Sequence, residues 1–196
     1  MKHYELSLPD NYKAAKVIDA KNTKTALIMN LVALPIIIGL LVIGCLIYYS
    51  VHKEFKFTVS KDNVYAILIY FVGFIIAIVL HELIHGLFFK IFTKQKLTFG
   101  ISWSAAYCGV PNIYVKRKAM MITAMAPCVI LSIVFLIPLF FITDTIYFIF
   151  VLLLFSSHFA GCCGDIYGFI LLLFKYRDNE TLIQDTGLKQ TFYVRK

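Results

Sequence analysis

The chain has 196 residues, of which 60% are hydrophobic and 15% are charged, and its formal net charge is +8. Soluble domains average about 45–50% apolar and about 25% charged residues. The composition therefore excludes an ordinary soluble domain and indicates a membrane protein. The basic residues crowd into the segments between long apolar runs, so the positive charge gives no reason to expect a nucleic-acid partner.

Four apolar runs are long enough to cross a bilayer, which requires about 20 residues of helix. They cover residues 26–51, 64–92, 119–142 and 145–174. We therefore predict an all-α membrane protein with four transmembrane helices, organised as one multi-pass membrane domain over residues 1–196. The fourth run exceeds what a bilayer requires, so we expect it to tilt or break.

The flanking lysines and arginines predict the orientation of these helices. The N-terminal segment, the segment 93–118 and the tail after residue 174 carry five each, whereas 52–63 carries three and the turn 143–144 carries none. Because basic loops stay in the cytoplasm, we expect a cell-membrane protein with both termini cytoplasmic. The tail 175–196 is polar and contains one strand-like stretch, QTFYV.

The loop between the second and third runs is not an ordinary linker. Its sequence KLTFGISWSAAYCGVPNIYVK mixes β-branched and aromatic residues with glycine and proline, which is typical of short strands around a turn. We predict a short β-hairpin that is either exposed to the cytoplasm or re-entrant at the membrane surface. It could gate the entry of a substrate or hold an extended peptide by strand addition.

The second run contains the stretch IAIVLHELIHGLFF, residues 76–89. His81 and His85 lie one helical turn apart on the same face, and Glu82 lies beside them. This is the H-E-x-x-H pattern, in which two imidazoles bind zinc and the glutamate acts as general base. Ionisable groups at bilayer depth are costly and rare unless they pair or function. The alternative is a polar cluster that joins helices by hydrogen bonds.

A hydrolytic zinc site needs a third protein ligand. Within the four runs, apart from a terminal lysine, the charged and histidine residues are His81, Glu82, His85, His158 and Asp165. We predict Asp165 as the third ligand. Gly161 and Gly168 share its helical face, and we expect this face to pack closely against the second run. The alternative is a buried aspartate bonded to backbone or hydroxyl groups.

His158 precedes Asp165 by seven residues, or about 10 Å along a continuous helix. If the helix breaks near Gly161 and Gly164, His158 could line the site as an oxyanion donor, serve as an alternative ligand, or be a satisfied intramembrane histidine. The five cysteines predict no disulfide framework. Cys162 and Cys163 remain candidates for neighbours of the metal.

The HELIHG stretch at 81–86, followed by an apolar span and then Gly164–Asp165 in a glycine-rich helix, resembles the site-2 protease type of intramembrane metalloprotease. It is more closely similar to a putative zincin peptidase group of small bacterial membrane proteins. The resemblance implies a cytoplasm-facing Zn²⁺ site, attack of zinc-activated water on a peptide bond, and Glu82 as general base.

Together these features predict a zinc-dependent metalloendopeptidase whose substrate is a membrane-embedded or membrane-adjacent peptide. Two alternatives without enzymatic activity are a divalent-metal carrier and a scaffold in which zinc is a structural staple. A further alternative is a zinc hydrolase that acts on a lipid or a prenylated protein. A staple would not need Glu82, and four spans without a repeat do not favour a carrier.

Overall fold

A computed structural model describes residues 2–56, 62–102 and 105–196. Three helices in it are long and apolar enough to cross a membrane, and a bent pair makes up to a fourth. The helices are α1 (Thr23–His52), α2 (Asp62–Thr93), α3 (Arg117–Leu139), α4 (Thr145–Gly161) and α5 (Cys163–Ile170), and α5 continues into a short π-helix, Leu171–Lys175.

The long helices expose apolar surface instead of burying it. In the most apolar windows of α1 and α2, only 6% of the residues are buried inside the protein. Soluble proteins rarely leave apolar surface of this extent in water. These helices are therefore compatible with insertion into a membrane.

Side-chain caps determine where two of the helices begin. The Asn22 side chain accepts hydrogen bonds from the backbone N–H groups of Lys24 and Thr25 at the start of α1. The Asp144 carboxylate does the same for Ile146 and Tyr147 at the start of α4. Each cap satisfies backbone donors that a helix start leaves unpaired.

The fourth apolar run is broken, as predicted. Its two helical parts meet at Cys162 with a bend of 41°. The expected glycine packing against α2 is wrong, however. A Cβ added to Gly161 or Gly164 would meet no atom within 4 Å, and one added to Gly168 would meet Gln190 at 3.1 Å. Gly161 and Gly164 line a cavity, because the bend opens space where a straight helix would pack.

The chain is mostly helical, but the prediction that it is all-α is wrong. A five-stranded antiparallel sheet has the strand order β1-β5-β6-β7-β2, and a two-stranded sheet joins β3 to β4. The strands are β1 (Tyr4–Glu5), β2 (Tyr12–Asp19), β3 (Thr98–Ile101), β4 (Ala106–Gly109), β5 (Tyr114–Lys116), β6 (Leu182–Asp185) and β7 (Lys189–Arg195). QTFYV lies in β7.

The sequence hides this sheet because three of its four strand pairs join distant segments, and only β6 and β7 pair across a local turn. In β2 and β7, Tyr12 lies opposite Arg195 and Asp19 lies opposite Lys189. Such pairing is set by tertiary contacts and not by a local turn. The predicted hairpin is confirmed in β3 and β4, although residues 103 and 104 of its turn lie outside the described residues. Beyond it, β5 joins the larger sheet.

The larger sheet packs against one end of the helical bundle. A buried core joins Phe89 of α2, Met120 of α3 and Leu172 of the π-helix to sheet residues that include Ile183 and Phe192. Arg117 at the start of α3 also donates from Nε to the Leu172 carbonyl at 2.8 Å. The five-stranded sheet, which contains strands from both chain ends, therefore forms a cap over the C-terminal end of α2, the end that follows His85.

Replacing Phe192 by alanine should test whether this cap supports the bundle. Phe192 is fully buried and stacks on Tyr176 at 5.5 Å between ring centroids. Loss of a buried phenylalanine costs about 3–5 kcal/mol, so we expect a clear fall in the thermal unfolding midpoint in detergent. Phe141→Ala is the control, because that side chain is 78% exposed. Equal midpoints for both variants would contradict a supporting role for the cap.

Candidate metal centre and active site

Three side chains from two distant helices converge on one point. His81 Nε2 lies 3.1 Å from His85 Nε2 and 3.1 Å from Asp165 Oδ2, and His85 Nε2 lies 3.4 Å from Asp165 Oδ1. The two histidines are adjacent on α2 because they are one turn apart. Asp165 reaches them from α5, just after the bend at Cys162.

The spacing of these donor atoms fits a bound zinc ion. Tetrahedral ligands at about 2.0–2.1 Å from zinc lie roughly 3.3 Å apart, and the observed separations are 3.1–3.4 Å. Two imidazoles and a carboxylate are also a donor set that zinc accepts. Brought together in apolar surroundings, these lone pairs have no strong stabilising partner unless a cation or protons lie between them.

A proline in α3 orients the ring of His85. Pro127 has no backbone N–H, so the Thr123 carbonyl loses the donor that an α-helix normally supplies four residues later. His85 Nδ1 lies 3.0 Å from this carbonyl. The N–H therefore resides on Nδ1, and the lone pair of Nε2 faces His81 and Asp165. Metal-binding histidines usually have such an outer hydrogen bond.

Glu82 is outside the group of potential metal ligands, which contains His81, His85 and Asp165. Its carboxylate accepts a hydrogen bond from the backbone of Cys108 in β4. Burial, together with the negative charge of Glu82, raises the pKa of the Cys108 thiol to about 12. That thiol therefore stays protonated, and Glu82 lies beside the three candidate ligands as a carboxylate that is not among them.

His158 lies on the other side of His81. The ring centroids are 5.6 Å apart, and His158 Nε2 faces the sulfur of Cys162 at 3.8 Å. The bend thus brings His158 beside the site without placing it in the group that contains Asp165. Its predicted role as an oxyanion donor remains a prediction.

A cavity of about 200 Å³ separates the three-residue group from the cap. Its walls include Glu82, Gly164, β4 and the turn between β6 and β7. Asp185 at the end of β6 also lines it, accepting hydrogen bonds from the Gly187 N–H at 2.7 Å and the Gln190 amide at 2.8 Å. Burial raises the pKa of Asp185 to about 6, although these two hydrogen bonds oppose the shift.

Sequence reasoning missed Asp185 because it lies in a polar segment with no motif, and only the sheet brings it to the site. The role of Pro127, in contrast, has a signal in the amino-acid sequence. A proline inside an apolar helix always frees a carbonyl four residues earlier, which predicts a donor from another helix without saying which one.

A second cavity, of about 450 Å³, meets the first at His81 and Glu82. It lies among α1, α2 and α4, and Asn30, Ala33, Ala77 and Ser157 are among its lining residues. Small side chains from three helices therefore leave a groove that runs from the apolar part of the bundle to Glu82.

The β3–β4 hairpin packs tightly against the surroundings of the site at two glycines. A Cβ on Gly86, which follows His85, would lie 2.6 Å from the Phe99 ring of β3, and one on Gly109 would lie 2.3 Å from the Gly187 backbone. At Gly109 the neighbour is backbone, so only glycine leaves room there, whereas at Gly86 a larger residue would displace the Phe99 ring. The HELIHG glycine thus allows the hairpin to pack beside the face of α2 that carries the two histidines.

Comparison with known families agrees with this geometry. A family model described as "Putative zincin peptidase" matches residues 74–179, which include α2 from Phe74 onward, the hairpin, α3, α4 and α5. The chain belongs to this family. No curated protein and no solved structure matches the chain. The family supports a metallopeptidase and, through the name zincin, a zinc cofactor.

Replacing Pro127 by alanine should weaken metal binding without destabilising the protein. The new N–H competes with His85 for the Thr123 carbonyl, and loss of an outer hydrogen bond typically lowers metal affinity by about 10–100-fold. Proline in a helix interior costs about 3 kcal/mol relative to alanine, so α3 should be at least as stable. Competition with a zinc chelator measures the affinity.

The matched control for this test is Pro138→Ala, which restores a backbone donor on the same helix but away from the two cavities. It should leave zinc affinity at the wild-type value. Equal affinities for the wild type and both variants would show that Pro127 does not orient His85.

Replacing Asp165 by alanine should remove one zinc ion per chain relative to the wild type, because only two imidazoles would remain at that position. The measurement is the zinc-to-protein ratio of detergent-purified protein. Asp178→Ala is the control, since Asp178 is exposed and bonds locally to the Glu180 N–H. An unchanged ratio in Asp165→Ala would exclude this carboxylate as a ligand.

Proposed function

We propose that the protein is a zinc-dependent peptidase that works at the membrane and uses Glu82 as general base. The observation that supports this function is the convergence of both HELIH histidines and Asp165 within 3.1–3.4 Å, with Glu82 beside them. A carrier or a structural staple would not need a free carboxylate at that position, whereas hydrolysis does.

When bound by His81, His85 and Asp165, zinc supplies Lewis acidity to water and to a carbonyl group. The remaining work falls to protein groups. Glu82 accepts the proton of the attacking water and delivers it to the leaving amine. The Cys108 backbone holds the Glu82 carboxylate, and Thr123 holds His85. Each group is thereby fixed before a peptide arrives, which lowers the cost of reaching the transition state.

The membrane placement is part of the same proposal. With four spans and both termini cytoplasmic, β2 and β7, which pair the two ends of the chain, lie together on the cytoplasmic side. The sheet then covers the site from the cytoplasm. The second cavity begins at Ile18 and Ala20, beside the sheet, and extends between the first turns of α1 and the middle of α2. Glu82 therefore stands where a membrane-side groove meets a cytoplasmic cavity.

We infer that the substrate is a peptide that extends from the membrane into the cytoplasm. Strand β4 pairs with β3 on one edge, and its residues Ala106 and Cys108 line the cavity beside Glu82. An extended peptide could add to the other edge of β4. Asn30 lines the membrane-side groove, and no described side chain bonds to its carboxamide, which could pair with a peptide backbone.

Glu82→Gln should keep the metal and lose hydrolysis. The amide cannot accept the proton of water, and loss of a general base typically lowers kcat by about 10²–10⁴-fold. Zinc content and peptide cleavage are measured on the same preparation. Glu180→Gln is the matched control, because the Glu180 carboxylate is exposed and pairs with Arg195, away from the site. Wild-type cleavage by Glu82→Gln would refute the mechanism.

Asn30→Leu should raise KM for a membrane-anchored peptide and leave kcat close to the wild-type value, because the groove holds the substrate at a distance from the reacting bond. A soluble peptide with the same scissile sequence serves as control, since it need not occupy the groove. A fall in kcat for both peptides would indicate general damage to the site and would argue against this route.

A further inference from the structure

His81 presents both of its ring nitrogens to groups that can bind a metal. Nε2 faces His85 and Asp165 at 3.1 Å. Nδ1, on the opposite side of the ring, faces the sulfur of Cys162 at 4.0 Å. The outer partner of His81 is therefore a thiol, whereas the outer partner of His85 is a backbone carbonyl.

Cys162 and His158 complete a second group of donors around this nitrogen. The Cys162 sulfur lies 3.8 Å from His158 Nε2, and the ligand atoms of His81, His158 and Cys162 all lie within 4.8 Å of one another. Zinc bonds of about 2.3 Å to sulfur and about 2.0–2.1 Å to nitrogen place these donors roughly 3.6 Å apart. The two sulfur–nitrogen separations, 3.8 and 4.0 Å, are within about 0.4 Å of this value.

The donors of this second group are buried away from water, which favours an ion bound between them. His158 is 6% exposed and Cys162 is fully buried. The buried Cys128 thiol of α3 lies beside Cys162, which brings a second sulfur to the position. His158 contacts the backbone carbonyl of Pro127 as well, in the manner of a ligand histidine with an outer hydrogen bond.

The bend at Cys162 places donor groups near both ring nitrogens of His81. Cys162 ends α4 and begins α5, and it follows His158 by one helical turn, so the two side chains share a face. Three residues later Asp165 turns towards the other side of the His81 ring. One break in the fourth run therefore supplies donors to both nitrogens of the same imidazole.

We propose that His81 Nδ1, His158 Nε2 and Cys162 Sγ form a second metal position, which takes a thiophilic ion such as zinc and has the Cys128 thiol as an available fourth donor. Thiolate and imidazole donors select such ions. Binding releases the thiol proton of Cys162 and the remaining ring proton of His81 to water, so His81 bridges two ions as imidazolate. The proposal goes beyond the peptidase function and does not depend on it.

Cobalt(II) is the probe, because a cobalt–thiolate bond gives an intense near-ultraviolet charge-transfer band that nitrogen and oxygen ligands do not give. Detergent-purified full-length protein is stripped of metal and titrated with cobalt under reducing conditions. We expect two ions per chain and a sulfur band. Cys162→Ser should lose the band and one ion, whereas His85→Ala should lose one ion and keep the band.

Cys163→Ser is the matched control, since it changes the adjacent thiol, which is not in the donor group, and it should keep both ions and the band. Circular dichroism verifies that each variant is folded. A wild type without the sulfur band, or a band that survives in Cys162→Ser, would overturn the proposal. A single ion whose band disappears in both Cys162→Ser and His85→Ala would also overturn it, because one position would then use both donor sets. Peptide cleavage by Cys162→Ser reports separately on the peptidase proposal.

Discussion

The hydrogen bond from His85 to the Thr123 carbonyl is the constraint around which the rest of the site is arranged. A buried histidine needs a partner for each ring nitrogen, because an unpaired polar atom in apolar surroundings is costly. Pro127 supplies one by leaving a helical carbonyl without its donor, and His85 Nδ1 lies 3.0 Å from it. The ring can then offer only Nε2 to the site. The packing of α3 on α2 thus fixes a tautomer and, through it, the direction in which the Nε2 lone pair faces His81 and Asp165.

The bend at Cys162 determines where the side chains of the fourth run lie relative to His81. A straight helix would separate His158 and Asp165 by about 10 Å along its axis, so they could not both approach one imidazole. The 41° bend instead places His158 and Cys162 on one side of His81 and Asp165 on the other. The glycines around the break do not bring helices together. They leave open the space through which a substrate would reach Glu82.

The sequence predicts the parts of this site that depend on local pattern. The length of the apolar runs predicts the spanning helices, and the four-residue spacing places His81 and His85 on one face. The scarcity of charged residues and histidines within the runs indicates Asp165. The sequence does not predict the cap, because β2 pairs with β7 across almost the whole chain and neither strand alternates clearly between apolar and polar residues. Asp185 is hidden for the same reason. Cys162 was only a candidate neighbour, since its position relative to His81 depends on the angle of the bend.

On the proposed function, the cap would also explain how a hydrolytic site can operate so close to an apolar bundle. Hydrolysis consumes water, and the exposed apolar sides of α1 and α2 offer no polar groups to hold it. The cavity under the cap is lined by Glu82, Asp165 and Asp185, and polar walls of this kind hold water where an apolar cavity stays dry. The groove among α1, α2 and α4 is lined mainly by apolar and small side chains. The two cavities join at His81 and Glu82, so on the proposed function water from the polar cavity and a peptide in the apolar groove would meet at Glu82.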